Sequence, residues 1–354
     1  MSLRKSVDRR FINPKSMDLL FDSLVAPILT YGCQIWLPVS SIITCLTNRN
    51  IDQDKLLAEI AKQPYEKVLL RHSKYLLGIN RRASNAAAWG ETGRFPLLIK
   101  CIKLCVKYFV RTINLDDCHL VKAAIQEQIN LSLPWFSGIK SIIESFDNIH
   151  PSDYNCGPSE PLNALMMSTL CSPDGIVNSL QDQFKQAWSS RVSQSPKLSF
   201  YNTIKGNDFT WEPYLDSTTN FKHRRTMAQI RSSSHKLNIE TGRYEGIARQ
   251  DRICTFCSDN GTDTSVIEDE DHLINVCPTG VEIRSDFLAA MENICSTNSV
   301  EVPCDFNLAK TYPAELDQYE DKSIVRAKII RLACRSLHRL YSKTLCYKNT
   351  SSPS

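Results

Sequence analysis

Apolar residues recur at three- and four-residue spacing along much of this chain, the period of a helix buried on one face. Residues 65–79, YEKVLLRHSKYLLGI, gather Val68, Leu69, Leu76 and Leu77 on one side, and Gly78 with Asn80 supplies a stop. Residues 97–112, LLIKCIKLCVKYFVRT, do the same with Leu98, Cys101, Ile102, Cys105 and Phe109. Residues 16–37 predict a helix with Leu20, Leu24 and Ile28 on one face, and a kink or restart at Pro27, which has no N–H to donate. Further helices are expected over 118–131, capped by Asp116 or Asp117, over 176–192 and over 322–343. Residues 39–64 read as looser, and 81–96 as a turn-rich connector around a short helix. Residues 146–175, rich in Pro, Gly, Ser and Asp, read as a linker. Residues 193–220 hold aromatics such as Phe200, Tyr201 and Trp211 but no assignable period. The expected fold is mainly α. It has a helical bundle over 16–112, a helical and looped middle over 113–220, a basic segment with a cysteine cluster over 221–284, and a tail over 285–354 ending in a basic amphipathic helix.

Composition adds limits. With 354 residues, the chain has room for two or three domains. No apolar run approaches the roughly 18 residues of a membrane span. The opening MSLRKSVDRRFINPKSMDLL lacks the apolar core of a signal peptide. An intracellular protein, nuclear or cytoplasmic, is therefore expected, with no membrane partner. Fourteen cysteines in such a chain are expected to be reduced thiols, and Cys101, Cys105 and Cys334 sit among apolar residues as small buried hydrophobes.

One group of cysteines differs. Cys254, Cys257, His272 and Cys277 have the spacing C-x2-C-x14-H-x4-C. Two thiolates from one turn and an imidazole–thiolate pair from a second can meet at one ion. Four soft ligands with no open position suit tetrahedral structural zinc. Such a site stabilises a segment too short for a core of its own. The neighbouring Glu268, Asp269, Glu270 and Asp271 are expected to be solvated. A zinc deaminase would need H-x-E upstream of P-C-x-x-C, whereas Leu273 and Ile274 follow His272 here. The metalloprotease motif H-E-x-x-H is also absent.

Charge distribution says more than the net value of +4. Residues 66–112 hold ten Lys or Arg, Arg81, Arg82 and Arg94 among them, against Glu66 and Glu91 alone. Lys100, Lys103, Lys107 and Arg111 form a stripe opposite the apolar face of their helix. Residues 222–252 hold Arg224, Arg225, Arg231, Lys236, Arg243, Arg249 and Arg252, with Lys222, against three acids. The terminal helix repeats the device with Lys328, Arg331, Arg335, Arg339 and Lys343. One such stripe is ordinarily a solvated face. Three basic segments, one beside a zinc motif, point jointly to a phosphate backbone. RNA or DNA is the expected partner, and no small-molecule substrate is expected.

Two stretches carry a family resemblance. LLFDSLVAPILTYGCQIWL, with Tyr31, Gly32, Cys33 and Trp36, resembles the start of the thumb in reverse transcriptases of non-LTR (LINE-type) retrotransposons. KYLLGINRRASNAAAWGETGRFPL, with Gly93, Arg94, Phe95 and Pro96, is similar to the thumb helices that follow. Residues 224–278 resemble the C-terminal region of the same proteins, whose CCHC-type motif falls on Cys254, Cys257, His272 and Cys277. The resemblance covers a third to a half of the chain. It implies a thumb that grips a primer–template duplex and a finger region that binds template RNA or target DNA.

The family's palm, with its aromatic-Ala-Asp-Asp hairpin, precedes the thumb. This sequence opens at the thumb-like segment. Its one Asp-Asp pair, Asp116–Asp117 in INLDDCHL, reads as a helix cap rather than a metal-binding catalytic pair. No endonuclease-like region is apparent. The expectation is a nucleic-acid-binding remnant without polymerase activity, with a structural zinc as its one cofactor. A zinc-stapled scaffold for protein partners and the thumb half of a split polymerase are the alternatives. Thumb helices without a palm to pack on would expose apolar surface, so self-association is also expected.

Overall fold

The computed structural model describes residues 13–48, 50–146, 172–261, 265–302, 308–309 and 323–351. The chain is mainly helical, as its periodicity predicts, and no strand occurs among the described residues. Described helices of eight or more residues are, in chain order, α1 (Gln53–Lys62), α2 (Pro64–Leu77), α3 (Asn85–Thr92), α4 (Leu97–Ile113), α5 (Leu120–Asn130), α6 (Pro134–Phe146), α7 (Pro173–Gln194), α8 (Phe221–Arg231), α9 (Val281–Thr297) and α10 (Ser323–Ser351). Most of the expected linker, residues 147–171, lies outside the described residues. No described helix is long and apolar enough to cross a membrane.

The chain groups into two compact units that are not consecutive segments. One comprises Leu20–Leu70 and Phe95–Arg191. Its centre is α4, whose Leu98, Cys101, Ile102, Cys105 and Phe109 are buried as the period requires. The Glu66 carboxylate, itself buried, accepts the Leu98 N–H at 2.7 Å and so satisfies a free donor at the start of α4. Cys33–Trp36 and α5 pack on α4. Gly138 on α6 is needed for closeness, because a Cβ there would meet the Pro38 carbonyl oxygen at 2.0 Å. Residues 39–64, expected to be loose, fold into Ser41–Thr47 and α1, which Asp52 caps by accepting the Lys55 N–H at 3.0 Å. The expected Asp116 or Asp117 cap is not formed. The N-cap of α5 is His119, without a side-chain cap, and Asp117 pairs instead with Lys122 at 2.7 Å.

Over the expected helix 16–37 the chain stays helical from Pro14 to Leu29, with Pro27 accommodated behind a widened turn rather than at a break. A π-helical turn, Phe21–Val25, sits just before Ala26–Leu29, and Gly32 at φ +65° ends that run. Its apolar face is not covered by the described residues: Leu24, Ile28, Tyr31, Ile35 and Val39 are 51–86% exposed.

The other unit comprises Met1–Leu19, Arg71–Arg94 and Val192–Ser354. Its axis is α10, against which α8, α9 and Pro213–Ser217 pack. Residues 193–220 fold here as Pro196–Leu198, Ser199–Lys205 and Pro213–Ser217. Their order comes from a buried charge cluster with no periodic signature. Arg231, 1% exposed, pairs through Nη2 with Glu91 at 3.0 Å and Glu212 at 2.8 Å, and through Nη1 with the Ala309 carbonyl at 2.7 Å. Lys205 pairs with Glu212, and the Tyr214 hydroxyl donates to Glu91 at 2.7 Å. Two cations and two carboxylates thus balance out of contact with water.

Removing one member of such a cluster leaves unpaired charge in a low-dielectric interior. Arg231→Ala is expected to lower the unfolding free energy by about 3–5 kcal/mol, read from the midpoint of urea unfolding. Lys236→Ala, at an exposed site, is expected to change it by less than about 0.5 kcal/mol. Equal midpoints for the two variants would contradict this account.

Candidate metal centre and basic surfaces

The four sequence-predicted ligands converge. Cys254 directly precedes the short helix Thr255–Asp259, which carries Cys257, and the Cys254 N–H donates to Val266 O at 2.8 Å. Ile253 and Ile267 form an antiparallel bridge that closes the base of this knuckle. His272 opens the π-helical turn His272–Val276, and the Cys277 N–H returns to His272 O at 2.7 Å. All four side chains are buried, and their ligand atoms lie within 4.8 Å of one another. Cys254 Sγ is 3.9 Å from Cys277 Sγ, and Cys257 Sγ is 3.4 Å from His272 Nε2. An ideal tetrahedral zinc site has sulfur–sulfur edges of about 3.8 Å and sulfur–nitrogen edges of about 3.6 Å, from its bond lengths. The residues therefore fit an ion of that size, with His272 offering Nε2. The hydrogen bond from the Cys254 thiol, with those of His272 and Thr279, holds the Cys277 thiol far below its ordinary value, to about 3, while the same bond and burial push Cys254 up. A pre-formed thiolate is the form that binds a metal.

The acidic residues beside His272 are mostly not solvated, contrary to expectation. Glu268 and Glu270 are buried. Glu270 accepts from Ser233 Oγ and bonds His235 Nε2, both at 2.8 Å. Glu268 accepts the Asn238 N–H at 2.6 Å and pairs with Lys348 of α10. Asp269 accepts the His272 N–H at 2.9 Å. Only Asp271 is exposed. Phe256 packs edge-on against Tyr347 at 4.9 Å, and the Tyr347 hydroxyl donates to Asp259 at 3.0 Å. The ligand-bearing turns are thus tied to the end of α10 and to residues 233–238.

The predicted nucleic-acid contacts divide into three groups. Arg224 and Arg231 are buried, at 3% and 1% exposure, and cannot meet a phosphate. Arg224 Nη1 donates to Thr218 O at 2.8 Å, and Arg231 belongs to the charge cluster. A second group is committed within the fold. Arg94 pairs with Asp18, Arg243 pairs with Glu240 at 2.8 Å, and Lys103 pairs with Asp174 at 2.6 Å. The Arg252 guanidinium donates to the Ile239 and Ile247 carbonyls. On α10, Arg339 and Lys343 meet Asp286 and Glu282 of α9. The third group, Arg81, Arg82, Lys100, Lys107, Arg111, Arg225, Lys236 and Arg249, is exposed. The sequence reading missed Lys197, which reaches the same surface from Pro196–Leu198; no periodic signal marks it.

The wild-type chain is expected to bind one equivalent of metal, and a Cys254→Ser, Cys257→Ser variant none, by elemental analysis of gel-filtered protein. Chelation is expected to lower the melting temperature of the wild type and leave that of the variant unchanged. An unchanged wild-type melting temperature would contradict a metal bound at this site.

No family model, curated protein or solved structure matches the chain, so the functional reading rests on its own residues and geometry.

Proposed function

We propose that this protein binds nucleic acid through exposed basic surfaces, that a structural zinc held by Cys254, Cys257, His272 and Cys277 stiffens the C-terminal unit, and that the chain has no polymerase activity of its own. The reading extends the resemblance to the C-terminal part of a non-LTR reverse transcriptase. The observation that carries it is a metal-type centre tied by Glu268–Lys348 and Phe256–Tyr347 to a unit in which the exposed Arg82, Lys222, Arg225 and Lys236 have no ion-paired carboxylate among the described residues. The closed ligand set has no vacant position for a reacting water, which favours a structural over a catalytic ion. The Asp116–Asp117 pair offers no alternative centre, since Asp117 is exposed and paired with Lys122.

Affinity for labelled RNA and DNA is expected to fall steeply between about 50 and 200 mM salt, because phosphate contacts release counterions. Loss of the metal through Cys254→Ser, Cys257→Ser is expected to weaken it. Salt-independent binding, or none, would sink the reading.

The apolar face of residues 24–39, which the described residues leave exposed, favours a second element, contact with another protein surface or a second copy of the chain. Concentration-dependent association in sedimentation velocity is expected, and Leu24→Asp with Ile28→Asp is expected to abolish it. A monodisperse wild-type monomer at all concentrations would rule out self-association.

A further inference from the structure

The unit built from Arg71–Arg94 and Val192–Ser354 contains a cleft of about 840 Å³. Its walls come from the turn after α2, from α8, from Ser233–Lys236, from α10 and from Tyr244. Four cations line it: Arg82, Lys222, Arg225 and Lys236. All four are exposed, and among the described residues no carboxylate lies within ion-pair distance of any of them. Lys197 adds a fifth positive charge, opposed by the buried Glu240 at 3.4 Å. That lysine sits 5.9 Å from the ring centre of Tyr244, which is 70% exposed.

The contrast with the helical stripes is informative. On α4 and α10, cations are spaced along a face, and several are answered by a carboxylate. In the cleft, Arg82, Lys222, Arg225 and Lys236 converge from three separate stretches with no ion-paired carboxylate among the described residues, and the one acid of the lining, Glu240, is taken up by Lys197 and Arg243. Like charges so gathered repel one another, and the fold keeps them together at a cost of stability. An anionic ligand removes that cost. Exposed Tyr244 adds a flat face for stacking, a feature a simple anion would not use.

We infer that this cleft, rather than the stripe on α4, holds the nucleic acid, and that it takes a single strand, with the backbone against Arg82, Lys222, Arg225 and Lys236 and a base stacked on Tyr244. This inference rests on the nucleic-acid reading above and assigns it a place and a substrate form. An extended single strand can offer an unpaired base face to Tyr244, whereas a duplex keeps its base faces stacked within the helix. The cleft's cations are set by the fold rather than by flexible tails. Lys236 is held by its N–H to the Tyr341 hydroxyl at 2.8 Å and by Lys348 Nζ on its carbonyl at 3.3 Å. Lys348 is the residue that also pairs with Glu268 beside the metal ligands. Integrity of the metal centre and the shape of the cleft are thereby linked.

The test compares binding of a short uridylate oligomer and of a hairpin duplex of equal length by fluorescence anisotropy across a salt series, using the full chain. The single strand is expected to bind more tightly. Lys222→Glu with Arg225→Glu is expected to reduce the magnitude of the log–log salt slope by about 1.4, two contacts at about 0.7 each on a single strand. Tyr244→Ala is expected to weaken binding at least about five-fold with the slope unchanged. Lys100→Glu with Lys107→Glu, on α4, is expected to leave single-strand affinity within about two-fold, the range of distant surface changes. Metal content and helicity of each variant establish that it is folded. Should the double charge reversal fail to fold, Arg82→Glu and Tyr244→Ala carry the comparison. Binding lost in the α4 variant but retained in the cleft variants would overturn the cleft while leaving nucleic-acid binding intact. A preference for duplex would overturn the single-strand assignment. No binding by the unsubstituted chain would overturn both this inference and the reading it rests on.

Discussion

Burying a guanidinium in protein is tolerable only where carboxylates meet it, and in the C-terminal unit that requirement organises much else. Arg231 needs Glu91 from α3 and Glu212 from the segment before Pro213–Ser217, and Lys205 is drawn in to balance the second carboxylate. The pair Arg231–Glu91 holds together residues 140 positions apart. It explains why Arg71–Arg94 joins the C-terminal stretch rather than its neighbours in sequence. It also orients α8. With Arg224 and Arg231 seven residues apart, and so on one face, the positions left facing outward are Lys222 and Arg225, which line the cleft. The buried cluster and the exposed charged surface are two faces of one helix.

The candidate metal centre has the same dependence on its surroundings. Its turns are short, and their buried apolar surface comes from the cysteines, Leu273 and Ile274, with Phe256 packed against the cysteines. Polar contacts join them to the rest, Glu268 to Lys348 and Asn238, Glu270 to Ser233 and His235, and Tyr347 to Asp259, together with the ring contact of Phe256 and Tyr347. The contacts of Glu268 and Glu270 satisfy carboxylates that would otherwise be buried alone, while the Tyr347–Asp259 bond lies at the surface. The last turns of α10 therefore act as a brace between the ligand-bearing knuckle and the wall of the cleft.

The unit around α4 is simpler in kind. An amphipathic helix buries nine apolar positions and leaves Lys100, Lys107 and Arg111 exposed, and Glu66 completes the start of the helix from another element. Its unusual feature is the apolar face near residues 24–39, which the described residues leave exposed.

The sequence by itself determined whatever follows from local spacing. The helical class, the inward positions of α4, the glycine stop after α2 and the four converging ligands were all legible, because each depends on residues within a few turns of one another or on a motif with fixed reach. Only the tertiary structure decided the rest. Arg224 and Arg231 look like surface cations in a basic run, yet partners from distant segments take them inside. Glu268 and Glu270 look like part of a solvated acidic run, yet their partners lie on residues 233–238 and on α10. The helix α1 does carry local signals, the Asp52 cap and Leu56, Leu57 and Ile60 on one face, whereas the helices in 193–220 owe their order to packing and to buried charge rather than to period. Charge in a sequence records only that a side chain can ionise. Whether it faces water, a carboxylate or a bound strand depends on which remote segments fold beside it, and no local pattern carries that information.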